Sequence, residues 1–248
     1  MTRRLVVVHP DADVLAQAAA ARLLTRILDV QSVRRPVHVV LTGGTVGIAT
    51  LAAAAQSPLL AAVDWSGVHL WWGDERFLPS GDPDRNETQA RAALVDALEA
   101  TAGLPAENVH PIAGPDVAGS PAASAAAYAA DLAAQADDGR VPAFDVLLLG
   151  MGPDGHVASL FPGHAELAAT GAAVGVHGSP KPPAERVSLT FEAINAARQV
   201  WVVAAGAEKA EQVASALAGQ PVAEVPASGV RGTHRTLWLL DTASADAP

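Results

Sequence analysis

Cysteine is absent from the 248 residues. That excludes disulfide bonds, a thiolate nucleophile and zinc sites built on cysteine, and it fits a cytoplasmic protein. Long apolar runs are also missing. Half of the residues are hydrophobic, mostly Ala, Val and Leu, yet no stretch is long enough to cross a bilayer. The apolar segment inside MTRRLVVVHP is too short for a signal peptide and reads as a first strand. Positive charge is scarce as well. A formal net charge of −10 argues against an extended nucleic-acid surface. An anionic substrate then needs a local pocket that overcomes the overall field.

Several catalytic signatures are missing too. The loop Thr42 to Gly47 is followed by no Gly-Lys-Ser/Thr, so it is not a Walker loop, and its own glycines do not have dinucleotide spacing. No nucleophile elbow surrounds Ser159, which sets acyl-enzyme catalysis aside. Eight histidines are present, but no HExxH or two-His-carboxylate spacing joins them. His156 and His164 flank a proline and a glycine. His9, His38, His69, His110, His177 and His234 are scattered and read mostly as surface or strand-end residues.

What is present is a regular alternation. Residues 4–9, 36–41, 68–72, 109–112, 146–149, 172–177, 186–190, 199–205 and 236–240 read as strands. Helical spacing fills 11–30, capped by Asp11 or Asp13, and then 48–55, 120–136, 191–196 and 207–217. Asp84 is expected to cap a further helix that runs to about Ala100, and the tail from Thr242 is expected to fray. Such βαβ spacing predicts an α/β fold: one domain, residues 1–248, with a mostly parallel sheet covered by helices on both faces in three layers.

Three constellations sit just past strand ends, where open α/β sheets bind ligands. The first is the stretch Asp145 to Gly163. Its apolar run breaks at Gly150, Gly152 and Pro153, and out of the break come Asp154, Gly155 and His156. A carboxylate beside an imidazole suits general-base chemistry at neutral pH. Backbone N–H groups between Gly150 and Gly155 are candidate oxyanion donors. The second is Thr42-Gly43-Gly44-Thr45, a glycine turn opening a helix, where free N–H groups and the helix dipole attract phosphate. The third is Gly73-Asp74-Glu75-Arg76, read as a charged loop.

With LTGGT, WWGDERFLP, DRNE, LLLGMGPDGHVASLFPGH, ERVSLTFEAIN and AGAEKAEQV in order, the chain resembles the 6-phosphogluconolactonases over nearly its whole length. That family is related to the glucosamine-6-phosphate deaminases. The resemblance implies a Rossmann-like α/β domain that needs no metal and no organic cofactor. It implies hydrolysis of 6-phosphoglucono-δ-lactone in the oxidative pentose phosphate route. His156 matches the family's general base, Asp154 stands beside it, and Asp74 matches the first carboxylate of the Asp-Glu-Arg motif. Gly43, Gly44 and Thr45 match the phosphate loop. Arg76 matches the motif's arginine, and Arg186 and Lys209 match the basic residues that grip phosphate. The implied partner is a small sugar-phosphate lactone, with no nucleic acid and no membrane, and a cytoplasmic monomer or weak homodimer is expected.

Two rivals share these features. The deaminases carry a glutamate just before the proline that follows Asp-Gly-His; here Phe161 stands before Pro162, which favours lactone hydrolysis. A non-catalytic sugar-phosphate sensor would have no use for Asp154 and His156.

Overall fold

The computed structural model describes residues 3–246. In chain order the strands are β1 (Arg3–His9), β2 (Val37–Leu41), β3 (Val68–Trp72), β4 (Asp74–Arg76), β5 (Val109–His110), β6 (Val146–Gly150), β7 (Ala173–Val176), β8 (Arg186–Leu189), β9 (Gln199–Ala204) and β10 (Arg235–Asp241). The α-helices are α1 (Ala12–Gln31), α2 (Gly44–Ala55), α3 (Asn86–Ala90), α4 (Pro115–Ala118), α5 (Pro121–Ala134), α6 (Phe191–Ala196), α7 (Ala210–Ala218) and α8 (Thr242–Ala245).

Seven strands form one sheet in the order β1-β10-β9-β6-β2-β3-β5, and every pairing in it is parallel. The central strands are apolar on both faces, as a sheet covered on both sides requires. In β6, Val146, Leu147, Leu148 and Leu149 are at most 1% exposed, and β2 is buried throughout. Each such side chain contributes about 1.5–3 kcal/mol by leaving water. All five tryptophans are buried, so the few large aromatic rings serve the core. Among the described residues no helix is long and apolar enough to cross a membrane.

The path of the chain fixes the binding crevice. From β2 it winds outward through β3 and β5, then returns to the other side of β2 as β6 and continues to β9 and β10. The switch point lies between β2 and β6, where the connections diverge and leave room for a ligand. The Gly150 N–H donates to Thr42 Oγ1 at 3.0 Å and ties the two strand ends together.

Several expectations are corrected. The second helix starts at Gly44 rather than residue 48, so the glycine loop is itself the first turn of α2. Asp74 to Arg76 is not a loop. It is strand β4 of a second, antiparallel sheet, β4-β8-β7, with Arg76 opposite Arg186. That pairing spans over a hundred residues, so local pattern does not reveal it. The tail from Thr242 is helical to Ala245, because the Asp241 carboxylate accepts the Ser244 N–H at 2.8 Å.

Asp84 does not cap α3. Arg85 holds the N-cap position without a side-chain cap, and the helix continues through π-helical turns to Ala102. The cap comes instead from Glu75 in β4, which accepts the N–H groups of Asn86 at 2.7 Å and Glu87 at 2.8 Å. Burial pushes the Glu75 carboxyl up to about 7, while Arg85 and the N–H donors of Glu87, Asn86 and Arg76 pull the other way. A carboxylate borrowed from the strand thus anchors the helix behind the crevice.

Three histidines read as surface or strand-end residues form a packed row instead. The His38 and His69 rings lie 4.9 Å apart, and His69 and His110 stack at 5.2 Å. His110 reaches Asp131 at 2.9 Å, and the Trp71 indole N–H donates to His38 Nδ1 at 3.1 Å. Burial, reinforced by His69, His110 and Arg34, pushes His38 down to about 3 from 6.5. The folded state therefore binds fewer protons than the unfolded state between those values, so stability falls as pH drops through this window. Urea unfolding at pH 7 and pH 5 is expected to show that loss, reduced in His38→Gln. A pH dependence identical in both proteins would contradict it.

Candidate active site

A cavity of about 340 Å³ opens at the carboxyl ends of β2 and β6. The expected residues Gly43, Gly44, Thr45, Asp74, Arg76, His156, Arg186 and Lys209 all line it. Asp154 is the exception: it stands behind His156, its Oδ1 2.5 Å from His156 Nδ1. Burial raises the Asp154 carboxyl, but the hydrogen bond and charge of His156 outweigh it and bring Asp154 down to about 2. An ionised carboxylate only accepts, so a neutral His156 carries its proton on Nδ1 and keeps Nε2 free as a base.

The loop after β6 is shaped around this pair. Gly152 N–H donates to His156 O, and Gly155 N–H to Gly152 O, both at 3.0 Å. With Gly150 bound to Thr42, these three N–H groups are satisfied internally, which removes them from the expected oxyanion donors. A Cβ on Gly152 would stand 2.1 Å from His156 Cε1 and 2.2 Å from Nδ1. Gly152→Ala is therefore expected to displace the imidazole. Displacements near 1 Å cost about 10²-fold in rate. A kcat close to wild type, with circular dichroism unchanged, would show that the ring position is unimportant. Ala158, on the cavity wall, holds φ at +50°, a strained choice for a residue with a side chain.

The segment Gly150 to Gly155 carries GxGxxG spacing after a strand, a match that sequence reading passed over. Turns follow it rather than a helix, so it lacks the context of a dinucleotide fingerprint.

Around the cavity the groups divide by charge. Lys181 and Lys209, the chain's two lysines, both line it with Arg76 and Arg186. Burial lowers Lys209 below its ordinary value and Lys181 adds to this, against Glu208 and Asp241. Burial likewise lowers Arg186, with Arg76 adding and Asp74 and Glu75 opposing. Backbone carbonyls hold Arg186 in place: Nε donates to Pro183 O, and Nη2 to Lys181 O and Pro182 O. The α2 N-cap, Gly43, offers no side chain to cap the helix, so the first-turn N–H groups face the cavity with the positive end of the dipole.

Asp74 is engaged on the protein side. Ser159 Oγ donates to Oδ2 at 2.7 Å, and Asn86 Nδ2 donates to Oδ1 at 3.3 Å and to the Asp74 carbonyl at 2.9 Å. Ser159 is fully buried, so it has no access to a substrate carbonyl. Asn86 was missed in the sequence. It lines the cavity, and a Cβ on Gly43 would fall 1.9 Å from its Oδ1; the DRNE motif was its only signal. Phe161 packs its ring 4.6 Å from His156, with the Arg186 guanidinium 5.9 Å above it. It places an apolar wall beside the base.

Residues 10–238 match the family model described as glucosamine-6-phosphate isomerases/6-phosphogluconolactonase. The chain is 54% identical to the 6-phosphogluconolactonase of Streptomyces coelicolor, over 97% of this chain and 93% of that one. It is 45% identical to that of Mycobacterium tuberculosis, over 96% of each. Among solved structures, 6-phosphogluconolactonase from Trypanosoma brucei superposes with a TM-score of 0.82 at 29% identity, covering 99% of this chain and 98% of that one. A monomeric glucosamine-6-phosphate deaminase shares the fold, with a TM-score of 0.79 at 18% identity over 97% and 98%. By sequence and by architecture, the chain belongs to the glucosamine-6-phosphate isomerase/6-phosphogluconolactonase family.

Proposed function

We propose that this chain hydrolyses 6-phosphoglucono-δ-lactone to 6-phosphogluconate in the oxidative pentose phosphate route. One observation carries the reading: a single cavity presents a carboxylate-oriented imidazole together with two lysines, two arginines and a helix N-terminus. A δ-lactone is an activated ester, so it needs only a deprotonated water, an oriented carbonyl and stabilisation of the charge that develops on oxygen.

In this mechanism the phosphate sits against the start of α2, Lys209 and Arg186, which turns the lactone ring toward His156. Nε2 takes a proton from water as the oxygen attacks the carbonyl carbon. Asp154 holds the tautomer and stabilises the imidazolium. Arg76 and the positive end of α2 supply potential for the oxyanion. The ring C–O bond then breaks, and the imidazolium returns its proton to the leaving ring oxygen. Asp74, braced by Ser159, positions Asn86 and the strand edge next to Arg76.

A deaminase would use an acid where Phe161 stands, and Phe161 is an apolar wall, which favours hydrolysis. The proposal includes a cytoplasmic setting and one domain, residues 1–248, acting as a monomer or weak homodimer. The direct test is an assay with lactone generated in place and the spontaneous hydrolysis rate subtracted. Turnover of the phosphorylated lactone well above that background is expected; a rate equal to background would defeat the proposal. Light scattering of the purified protein checks the oligomeric state.

A further inference from the structure

We propose that the amino end of the sheet carries a second anion site, which takes a small phosphorylated metabolite with at least two negative charges. A cavity of about 640 Å³ lies between α1 and the first residues of β9 and β10. Arg22, Arg26 and Asp29 line it from α1, and Gln199, Trp201 and Arg235 from the sheet. The catalytic cavity is at the opposite end of the same strands, so the two sites share no residue.

The three arginines outnumber the single carboxylate, Asp29, that lines the cavity with them. Among the described residues, none of Arg22, Arg26 and Arg235 pairs with a carboxylate within 4.0 Å. The buried Nε atoms of Arg22, Arg26 and neighbouring Arg198 have no hydrogen-bond partner. Arg198 and Arg34 already share one buried carboxylate, Asp145. Burial holds Arg26 below its ordinary value; Asp29 opposes this, and repulsion from Arg198 and Arg235 adds to it.

Packing does not explain such a group. Like charges brought together and partly desolvated raise the energy of the folded state, and buried donors without partners cost further. A chain of net charge −10 has carboxylates to spare, yet sets only Asp29 among these three arginines. An anion in the cavity would give Arg22, Arg26 and Arg235 a common partner, and guanidinium forks match phosphate oxygens in pairs. The cavity volume falls within the usual range for small-molecule sites, roughly 300–1,000 Å³. Leu237, Ala18 and Ala21 add apolar lining that suits the organic part of a metabolite. The concave shape and the overall negative charge disfavour a nucleic-acid strand, which needs an extended basic surface.

The test is calorimetric titration of the intact protein with inorganic pyrophosphate, inorganic phosphate and AMP. Pyrophosphate is expected to bind the wild type. Arg26→Gln/Arg235→Gln should weaken that binding by about ten- to a hundred-fold per arginine, the worth of a charged hydrogen bond. Lys209→Ala, altered only at the catalytic end, should retain it. AMP should bind more tightly than phosphate through the apolar lining. Without ligand the double variant should melt at or above the wild-type temperature, since repulsion is relieved, and pyrophosphate should raise the melting temperature of Lys209→Ala but not that of the triple variant that adds Arg26→Gln and Arg235→Gln to it. Binding that survives the double substitution but is lost in Lys209→Ala would assign it to the catalytic cavity and overturn the proposal. So would absence of pyrophosphate binding at millimolar concentration, equal affinity for AMP and phosphate, or a double variant that melts lower because its arginines brace the fold. None of these readings depends on lactone turnover, so the proposal stands or falls apart from the catalytic one.

Discussion

His156→Ala is expected to lower kcat by about 10²–10⁴-fold, the usual contribution of a positioned general base. The imidazole lines the cavity and is oriented by Asp154 at 2.5 Å. The ring packs on Phe161 at the cavity wall and stays 16% exposed, so circular dichroism and cooperative unfolding should be retained. The pH dependence gives a second reading. Only neutral imidazole accepts a proton, so the limb by which kcat/KM rises with pH should be lost in His156→Ala. Asp154, brought down to about 2, is ionised from about pH 4 upward and adds no limb in that range. A variant within a few-fold of wild type, or a flat wild-type profile with chemistry rate-limiting, would remove His156 from the mechanism.

Lys209→Ala and Arg186→Ala should each weaken capture of the phosphorylated substrate by about 1.5–3 kcal/mol, the worth of a hydrogen bond to a charged group. That is roughly one to two orders of magnitude in kcat/KM. Lys209 is the cleaner probe, because Arg186 also anchors the carbonyls of Lys181, Pro182 and Pro183, so the loss of Arg186 should fall toward the upper end of that range. The decisive comparison is gluconolactone, which has no phosphate. Wild type should turn it over poorly, and Lys209→Ala should lose little further against it. Equal losses on both substrates would mean that Lys209 does not read phosphate.

The residues of the candidate site were legible because glycines and charges cluster immediately past apolar runs. Gly43 to Thr45, Asp74, Arg76 and His156 each follow a strand that local pattern identifies, and the parallel sheet brings such strand ends to one edge. Periodicity likewise gave α1, and of the two expected caps, Asp11 and Asp13, the fold uses Asp11, which accepts the Val14 N–H three residues on. The local sequence therefore marked the strands of the main sheet and the longer helices, and where the chain stops to expose chemistry.

Tertiary structure decided what depends on distant partners. Asp74 to Arg76 became a strand because β8, more than a hundred residues later, supplies its hydrogen bonds. Glu75 replaced Asp84 as the anchor of α3 because β4 brings its carboxylate to Asn86 and Glu87. His38, His69 and His110, scattered in sequence, stack because β2, β3 and β5 are neighbours in parallel register. The same distinction separates His156 from Asp154: two residues apart, both are visible in the motif, but only the folded loop sets one on the cavity wall and the other behind it. Sequence carries short-range preference, whereas pairing, burial and charge environment arise from contacts that chain order does not encode locally.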